Sequence, residues 1–481
     1  MIVERASSYN WAYSEDIPGN RCGPEDGPWP RPYQVLDEDE LWRELRILAK
    51  PQSSQLGNYK ADSINFQPSP TTKTQDRYVV TQLDVHGRLW TFTGVFDGHL
   101  GDVTVEHVAH HLPIIVRDFL REAEAATKEG TYAPEDISEL FTKAIIAFDD
   151  AIAHDVLDLF GGSVEKLDDY TDAQIREIIN DQHKGGANWR KARLCMYGTT
   201  ALVALIDPEH RDLWIANLGD CQAIMASPSN NAKDWKIEVL TASHNGDNDA
   251  ELDRVKQSHP GEPECIVDRR VLGALAPTRC FGDIPFKQPP AFTRRILYNL
   301  FPGFHNTSPW EEFLRRNQTP PYITAEPQII YRKLDVDDTA AAHSGTTTPS
   351  PLVSRSSSIS SIYRNKFWPG SKSQNQKETP PAQPPPAPGS RFLILTSDGF
   401  ADLCEGEGQK RVIESWARGM VSRNPPESVT DSEPGSRHDN MALRLLRRAV
   451  GGDDRFGVSR VLTLDMDVAW IDDTSIVVQT L

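Results

Sequence analysis

Runs of apolar and β-branched residues recur along the chain and predict most of its strands. The segment YVVTQLDVHGRLWTFTGVFDG, which begins at Tyr78, indicates two strands joined by a turn at His86-Gly87. Further runs predict strands at TTALVALID (199–207), DLWIANLGD (212–220), RFLILTSDG (391–399) and the terminal TSIVVQTL. Helical patterns at about 101–126 and 136–158 are grouped between these runs and do not alternate with every strand. This grouping favours an α+β fold built in layers over a doubly wound parallel sheet.

A short amphipathic helix is predicted near the N-terminus, over residues 37–50. Leucines recur at helical spacing in DEDELWRELRILAK, with acidic residues in the first turn and Lys50 at the end. Residues 1 to about 35 are rich in Gly, Pro, Trp and charge, and we expect them to lie on the surface or to be disordered. We therefore divide the chain into an N-terminal extension with a short helix (1–50) and a main domain (51–481).

A composition shift at 338–390 predicts a disordered Ser/Pro-rich insertion. Ser, Thr, Pro and Gly dominate this segment, so it cannot bury enough apolar surface to offset the entropy of ordering. Because strand-like runs, YRKL and RFLIL, flank it, we place the insertion inside the main domain. The island SIYRNKFWPG is typical of a chance cluster, with a docking motif for a partner as the alternative. A second loop of this kind is predicted at 423–439.

Charge and cysteine content narrow the class of protein. With 69 acidic and 51 basic residues, the net charge is −18, which gives no global attraction to nucleic acid or anionic membrane. No stretch of about 18 apolar residues predicts a membrane span. Six cysteines without CxxC pairs suit reduced thiols in an intracellular protein. The first residues have neither the apolar core of a secretory signal nor the Arg-rich character of a mitochondrial presequence.

Aspartates stand at the ends of several predicted strands. They are Asp76, Asp97, Asp220, Asp398, Asp472 and Asp473, with Asp402 four residues after Asp398. If these ends converge, the carboxylates repel one another unless cations neutralise them. Oxygen ligands favour Mg²⁺ or Mn²⁺ over zinc, and two such ions about 4 Å apart can acidify a shared water and hold a phosphoryl group for in-line attack. Each Asp-Gly pair alone is typical of a turn, so the hypothesis depends on their joint occurrence.

Six motifs carry a resemblance to a known family. They are GVFDGH, YGTTALVALI, LWIANLGDCQA, APTRCFGD, LILTSDGFADL and DDTSIVV, in this order. From about residue 75 to 481, apart from the insertion, the chain resembles the metal-dependent serine/threonine phosphatases of the protein phosphatase 2C family. The blocks HNGDNDAELDRVKQSHP, RRVLGALAPTRCFGDIPFK and TPPYITAEP look most like the pyruvate dehydrogenase phosphatase branch.

The resemblance implies a fold and a ligand set. The fold would be a four-layer α-β-β-α sandwich with two central antiparallel sheets and a dinuclear Mg²⁺ or Mn²⁺ site at one end. By motif position, Asp97 would bridge both metals, Gly98 would offer its carbonyl, and Asp398, Asp472 and Asp76 would complete the site. Asp220 and Asp402 match positions that bind a third, looser metal in some relatives. His99 matches the residue proposed to protonate the leaving seryl or threonyl oxygen.

Several positions depart from the family pattern. Gln75 stands where the family usually has Glu, and Thr71 stands where many relatives carry a phosphate-binding Arg. Phosphate capture would then fall to other donors, for which Lys73 and Arg77 are the candidates. Arg279 matches a family Arg that would either form a structural ion pair or contact the substrate. A register slip of one residue would put Asp473 in the place of Asp472.

The leading hypothesis is dephosphorylation of phosphoserine and phosphothreonine in proteins, with a hydroxide bridging the two metals as nucleophile. The branch resemblance points to the phosphorylated pyruvate dehydrogenase α subunit and the mitochondrial matrix, with the cytoplasm as the alternative because no presequence is visible. A catalytically weak phosphatase-like module that binds phosphoproteins is the main rival. A metal phosphodiesterase or nuclease is disfavoured by the acidic charge. No nucleic acid or membrane partner is expected, and the insertion is the candidate docking segment.

Overall fold

A computed structural model describes residues 10–23, 29–69, 71–126, 132–229, 234–334, 391–421 and 440–481. The predicted insertion at 338–390 and the predicted loop at 423–439 lie outside the described residues, so both remain predictions. No helix in the described ranges is both long enough and apolar enough to cross a membrane.

The strands of the described chain pair in antiparallel fashion. They are β1 (Asn10–Ala12), β2 (Arg31–Tyr33), β3 (Gln52–Leu56), β4 (Tyr59–Phe66), β5 (Arg77–Val85), β6 (Arg88–Phe96), β7 (Gly98–His99), β8 (Gly198–Thr199), β9 (Ala201–Ile206), β10 (Asp212–Leu218), β11 (Gln222–Pro228), β12 (Trp235–Val239), β13 (Ile266–Val267), β14 (Arg270–Val271), β15 (Phe281–Gly282), β16 (Gln328–Lys333), β17 (Phe392–Thr396) and β18 (Thr474–Thr480). One sheet has the strand order β16-β10-β9-β6-β5 and a second has the order β12-β11-β17-β18-β4-β3.

Helices lie on the outer faces of these two sheets and in the connections between strands. They are α1 (Glu38–Ala49), α2 (Val103–Ala126), α3 (Pro134–Leu157), α4 (Asp172–Ile179), α5 (Ala187–Leu194), α6 (Asp249–Ser258), α7 (Pro290–Arg295), α8 (Trp310–Arg316), α9 (Gly399–Leu403), α10 (Gln409–Val421), α11 (Met441–Ala449) and α12 (Arg455–Thr463). The helices expected at 37–50, 101–126 and 136–158 are therefore confirmed to within two residues at each end.

Adjacent residues of the central strands face different layers, which explains their continuous apolar runs. In β17, Leu395 packs between the two sheets, whereas Ile394 packs with α1, α10, α11 and α12 on the outer face of the six-stranded sheet. In β6, Val95 joins the core between the sheets, and Phe96 packs with α2 and α3 outside the five-stranded sheet. The four-layer α-β-β-α sandwich and the α+β fold class are thus confirmed.

The strand ends that carry aspartates all lie at one end of the sandwich. The antiparallel register places them there through the pairs Arg77 with Phe96, Leu218 with Ala201, Thr396 with both Ile476 and Gln222, and Thr474 with Phe66. The segments that leave the sheets at this end contain Asp76, Asp97, Asp220, Asp398 and Asp472.

The N-terminal segment is more closely integrated than its composition indicates. From sequence, residues 1 to about 35 are expected to lie on the surface or to be disordered. In the described part, Ala12, Ile17, Cys22 and Tyr33 are buried in the same core cluster as the helices of the six-stranded sheet. A few apolar anchors without a regular period are enough to fix this segment, and periodicity cannot reveal them.

Candidate active site

Three of the aspartates chosen from the sequence lie around one guanidinium, and the others interact with them. Arg21 Nη2 contacts Asp472 Oδ2 and lies 3.8 Å from Asp398 Oδ2 and 3.6 Å from Asp402 Oδ2. Asp97 interacts electrostatically with four of the other carboxylates, which are Asp398, Asp76, Asp220 and Asp472. The structure therefore brings the whole predicted carboxylate set to one end of the sandwich.

Burial and mutual repulsion make the central carboxyl groups hard to ionise. Burial first, and then the charge of Asp398, raises the pKa of Asp97 well above its ordinary value. The same two causes raise the pKa of Asp472 to about 9. Burial and then Asp473 raise the pKa of Asp76 to about 8. An added cation within ~4–6 Å would favour the charged forms, so this cluster suits positive ions.

The two carboxylates expected to bind a third metal, Asp220 and Asp402, each interact with Asp398. Burial and then Asp398 raise the pKa of Asp220 to about 6, while Asn245 Nδ2 donates a hydrogen bond of 2.9 Å to Asp220 Oδ2 and opposes the shift. Burial and then Asp398 also raise the pKa of Asp402, and Arg21 opposes that shift. Both residues therefore have a partner that already stabilises negative charge.

The backbone of Asp97 is held by two threonines of the YGTT motif. Thr199 Oγ1 donates to Asp97 O at 3.0 Å, and Thr200 N donates to the same oxygen at 2.9 Å. Asp97 N donates to Thr200 Oγ1 at 3.2 Å. These contacts fix the backbone that carries the Asp97 side chain, and they do not depend on the charge of that side chain.

Asp472 and Asp473 have different surroundings. Asp473 Oδ2 accepts from Gln75 N at 2.6 Å, and Asp473 Oδ1 accepts from Gln67 Nε2 at 2.9 Å. Both oxygens of Asp473 thus fasten neighbouring loops, whereas Asp472 contacts Arg21. The geometry supports Asp472, the residue chosen in the unslipped register, as the one available to a cation.

His99 is paired with an aspartate that is distant in sequence. Its Nε2 lies 2.6 Å from Asp283 Oδ2, and Asp283 is buried with a left-handed backbone (φ 47°). Burial alone would lower the pKa of His99, but the charge of Asp283, its hydrogen bond to the ring and the charge of Asp220 together raise the pKa above its ordinary value. The small sheet β15-β8-β7 places His99 opposite Gly198, and Gly198 opposite Gly282.

Gly198 leaves the space in which this pair forms. A Cβ at position 198 would lie 2.0 Å from Asp283 Oδ2 and 2.5 Å from His99 Nε2. No side chain fits there without separating the two residues. Glycine is therefore required at this position by close approach.

Comparison with known proteins identifies the family. A family model described as protein phosphatase 2C matches residues 81–341, which is more than half of the chain. The chain belongs to the protein phosphatase 2C family. Human mitochondrial [pyruvate dehydrogenase [acetyl-transferring]]-phosphatase 1 is 24% identical over 471 residues, covering 86% of this chain and 76% of that protein. A protein phosphatase 2C homolog of Schizosaccharomyces pombe is 24% identical over 409 residues, covering 81% and 73%.

The family places this chain among the protein serine/threonine phosphatases, which are hydrolases. A further relative is human mitochondrial [pyruvate dehydrogenase [acetyl-transferring]]-phosphatase 2. It is 26% identical over 341 residues, and the match covers 66% of this chain and 53% of that protein. The similarity thus lies with the pyruvate dehydrogenase phosphatase branch, as the motif blocks predict.

Two basic residues, Lys73 and Arg77, are proposed for phosphate capture in this protein phosphatase 2C chain. Both contact acidic residues at the start of α2, namely Asp102, which precedes the helix, and Glu106 in its first turn. Lys73 Nζ contacts Asp102 and lies 3.5 Å from Glu106. Arg77 Nη2 lies 2.7 Å from Glu106, and its Nη1 donates to the carbonyls of Thr74 and Asp76 at 2.8 and 2.7 Å. Both lie close to the site in sequence, and their substrate role remains a prediction.

Arg279 forms a two-point ion pair with Glu251 of α6. Its Nε and Nη2 lie 3.0 and 2.6 Å from the two carboxylate oxygens, and its Nη1 donates to Glu326 O at 3.0 Å. Burial alone would raise the pKa of Glu251, but the hydrogen bonds and charges of Arg279 and Arg254 together lower it well below its ordinary value. The geometry supports the structural alternative for Arg279, and a substrate contact remains a prediction.

The loop that carries Asp283 is held by a buried ion pair. Lys287 Nζ lies 2.8 and 2.7 Å from the two carboxylate oxygens of Asp149 on α3, and it also donates to Cys280 O at 2.8 Å. Asp149 Oδ1 accepts from Gly282 N at 2.8 Å. The pair therefore fixes β15 and the residue that follows it against the helix layer.

Lys287→Met is expected to lower the free energy of unfolding by about 3 kcal/mol, because it leaves the Asp149 carboxylate buried without its counter-charge. Urea unfolding of the metal-free protein measures this. Combining it with Asp149→Asn, which keeps an acceptor for Gly282 N, should recover most of the loss. Lys143→Met removes one partner of an exposed pair on α3 and should cost under about 0.5 kcal/mol. Equal losses in both single variants would contradict this account.

Sequence reasoning missed two residues that complete the site. Asp283 lies in the quoted motif APTRCFGD, but its pairing with His99 spans 184 positions. Arg21 lies in the segment treated as an extension, and only its position against the aspartates reveals it. The sequence does carry a signal for Asp283. His99 ends the motif GVFDGH and Asp283 ends the motif APTRCFGD, and each follows directly after a glycine.

Proposed function

We propose that this phosphatase requires Mg²⁺ or Mn²⁺ and removes phosphate from phosphoserine and phosphothreonine in protein substrates. The observation that carries the proposal is the convergence of buried carboxylates from separate strand ends. Several negative groups in one buried place are unfavourable unless positive ions share it.

The donor set fits hard divalent ions. Asp76 Oδ2 and Asp398 Oδ1 are buried and have no hydrogen-bond partner among the residues that the structure describes, and the same holds for the amide oxygen of Gln75. Buried oxygens without partners are costly, and oxygen-only ligands suit Mg²⁺ and Mn²⁺. The proposed ligands of the metal pair are Asp97, Gly98 O, Asp398, Asp472 and Asp76, with Asp220 and Asp402 for a third, weaker ion.

When bound, the ions would neutralise the phosphate and acidify a water molecule for attack on phosphorus. A side chain of the protein itself would supply the proton that the leaving oxygen needs. As the bond between phosphorus and the seryl or threonyl oxygen breaks, His99 would give that oxygen a proton, and the products are the hydroxyl side chain and inorganic phosphate. Asp283 would hold the imidazole in place through the 2.6 Å hydrogen bond.

The test is phosphate release from a phosphoserine peptide, measured alongside calorimetric titration with Mn²⁺. We expect saturable Mn²⁺ binding and hydrolysis that EDTA abolishes and added Mn²⁺ restores. Hydrolysis that persists unchanged in EDTA would refute the metal dependence.

A phosphoprotein-binding module is the second candidate. Thr71 Oγ1 donates to Asp467 O at 3.1 Å, so the position where many relatives have a phosphate-binding Arg offers no cation here. Peptide binding without phosphate release, and without Mn²⁺ binding at millimolar concentration, would favour this candidate.

We further propose phosphorylated pyruvate dehydrogenase α subunit as the substrate and the mitochondrial matrix as the location, with the cytoplasm as the alternative. The names of the similar proteins from human and other mammals support this. Phosphoproteomics after gene deletion should show increased phosphorylation of that subunit. A C-terminal fluorescent fusion excluded from mitochondria would contradict the location.

A further inference from the structure

The segment that carries Arg21 is fastened to the body of the protein beside the carboxylates. Arg21 N donates to Trp470 O at 2.8 Å, and Cys22 Sγ donates to Ala469 O at 3.6 Å. Ile17 and Cys22 are only 4% and 7% exposed. The backbone of Arg21 and the side chain of Cys22 are thus both fixed to the loop that leads into Asp472.

Gly19 brings this segment into direct contact with Asp402. Its backbone is left-handed (φ 64°), and a Cβ there would lie 2.9 Å from both the carbonyl carbon and the Cβ of Asp402. A side chain at position 19 would therefore push the segment away from the site. The close approach is what allows Arg21 to reach the carboxylates.

The guanidinium takes the place at which a cation would bind these carboxylates. Arg21 contacts Asp472 and lies within 4 Å of Asp398 and Asp402. Three carboxylates of the cluster therefore lie around a guanidinium that comes from the N-terminal segment.

We propose that Arg21 is an intramolecular cation that occupies the carboxylate cluster of the metal-free protein and leaves it when a divalent ion binds. This inference rests on the proposed function, because it requires that the carboxylate cluster bind a divalent metal ion. A guanidinium and a metal ion neutralise the same oxygens of Asp398, Asp402 and Asp472, and two positive groups at one place repel each other. A metal ion can bind only those molecules in which Arg21 has left the carboxylates. The apparent metal affinity therefore falls as the fraction of molecules with Arg21 in place rises.

The coupling is reciprocal. If Arg21 weakens metal binding, bound metal weakens the attachment of the N-terminal segment by the same factor. Metal binding would therefore loosen the contact between the segment that includes Gly19 and Arg21 and the rest of the protein. Arg21 would act as a determinant of the metal concentration at which the phosphatase works.

Calorimetric titration of the whole 481-residue chain, free of metal, with Mn²⁺ tests this. We expect Arg21→Gln to bind Mn²⁺ on the order of 10-fold more tightly at one site, a value within the usual range of coupling between two ligands. Arg43→Gln removes the same charge from an exposed position on α1 and should bind Mn²⁺ like the wild type. Arg21→Lys keeps the charge and should lie closer to the wild type than Arg21→Gln does.

A second variant separates position from charge. Gly19→Ala keeps Arg21 but displaces the segment from Asp402, so it should also tighten Mn²⁺ binding. Unchanged or weaker Mn²⁺ binding in both Arg21→Gln and Gly19→Ala would overturn the inference, although the wild type would still bind Mn²⁺ and hydrolyse phosphopeptide. Absence of Mn²⁺ binding in the wild type and in both variants would instead overturn the proposed function and, with it, this inference.

Discussion

Asp97→Asn is expected to reduce hydrolysis of a phosphoserine peptide by more than ~100-fold, since loss of groups that merely support metal ligands already costs ~10–100-fold. Asp97 interacts with four other carboxylates of the site and is one of the residues that would hold the metal ions. An amide has the shape of the carboxylate but lacks its charge, so the variant should lose metal binding in calorimetry together with activity.

The fold should survive this substitution. The contacts of Asp97 with Thr199 and Thr200 involve only its backbone, so they remain in the variant. Because the metal-free protein holds the Asp97 carboxyl in a place that raises its pKa, a neutral amide should leave thermal unfolding of the metal-free protein unchanged or shift it upward. Asp253→Asn, at an exposed position on α6, is the matched control and should keep full activity. Activity of Asp97→Asn within ~10-fold of the wild type would remove Asp97 from the metal-binding set.

The position of most of these aspartates could be predicted because each stands directly before or after an apolar run. A strand end is visible in sequence as the place where buried side chains stop, as in GVFDGH for Asp97 and LILTSDG for Asp398. The antiparallel pairing of β5 with β6, and of β17 with β18, then brings such ends to one edge. The four-layer arrangement followed from the resemblance, because apolar runs alone do not distinguish which sheet a strand joins.

Arg21 could not be predicted in this way. Its segment has no period, and its attachment depends on a few contacts with residues near 470 that are far away in the chain. A single arginine among 51 basic residues carries no signal of its partner. The left-handed backbone of Asp283 and the 2.6 Å contact with His99 are likewise products of tertiary structure.

Asp283→Asn is expected to reduce hydrolysis of a phosphoserine peptide by on the order of 100-fold, because it impairs a proton donor whose full contribution is typically ~10²–10⁴-fold. Asparagine retains the shape of Asp283 and tolerates its left-handed φ of 47°, so the loop should keep its conformation. The amide loses the charge that faces His99 Nε2, and the imidazole is no longer held as a proton donor.

The choice of leaving group separates this role from a structural one. A seryl oxygen needs a proton when it leaves, whereas 4-nitrophenolate is stable without one. Asp283→Asn should therefore affect 4-nitrophenyl phosphate hydrolysis much less than peptide hydrolysis, and His99→Gln should show the same difference. Equal losses on both substrates would indicate that Asp283 only supports the fold of the loop after β15.

Gly198→Ala should also break the pair of His99 and Asp283. It is an independent test because both of these residues stay in the chain. The added methyl group would lie 2.0 Å from Asp283 Oδ2, so the pair must separate. We expect the same preference for the aryl phosphate as in Asp283→Asn, with unchanged Mn²⁺ binding since Thr199 and Thr200 still hold Asp97. If Gly198→Ala instead loses Mn²⁺ binding and both activities together, β8 supports the carboxylate cluster as a whole and the paired His99 has no separate function.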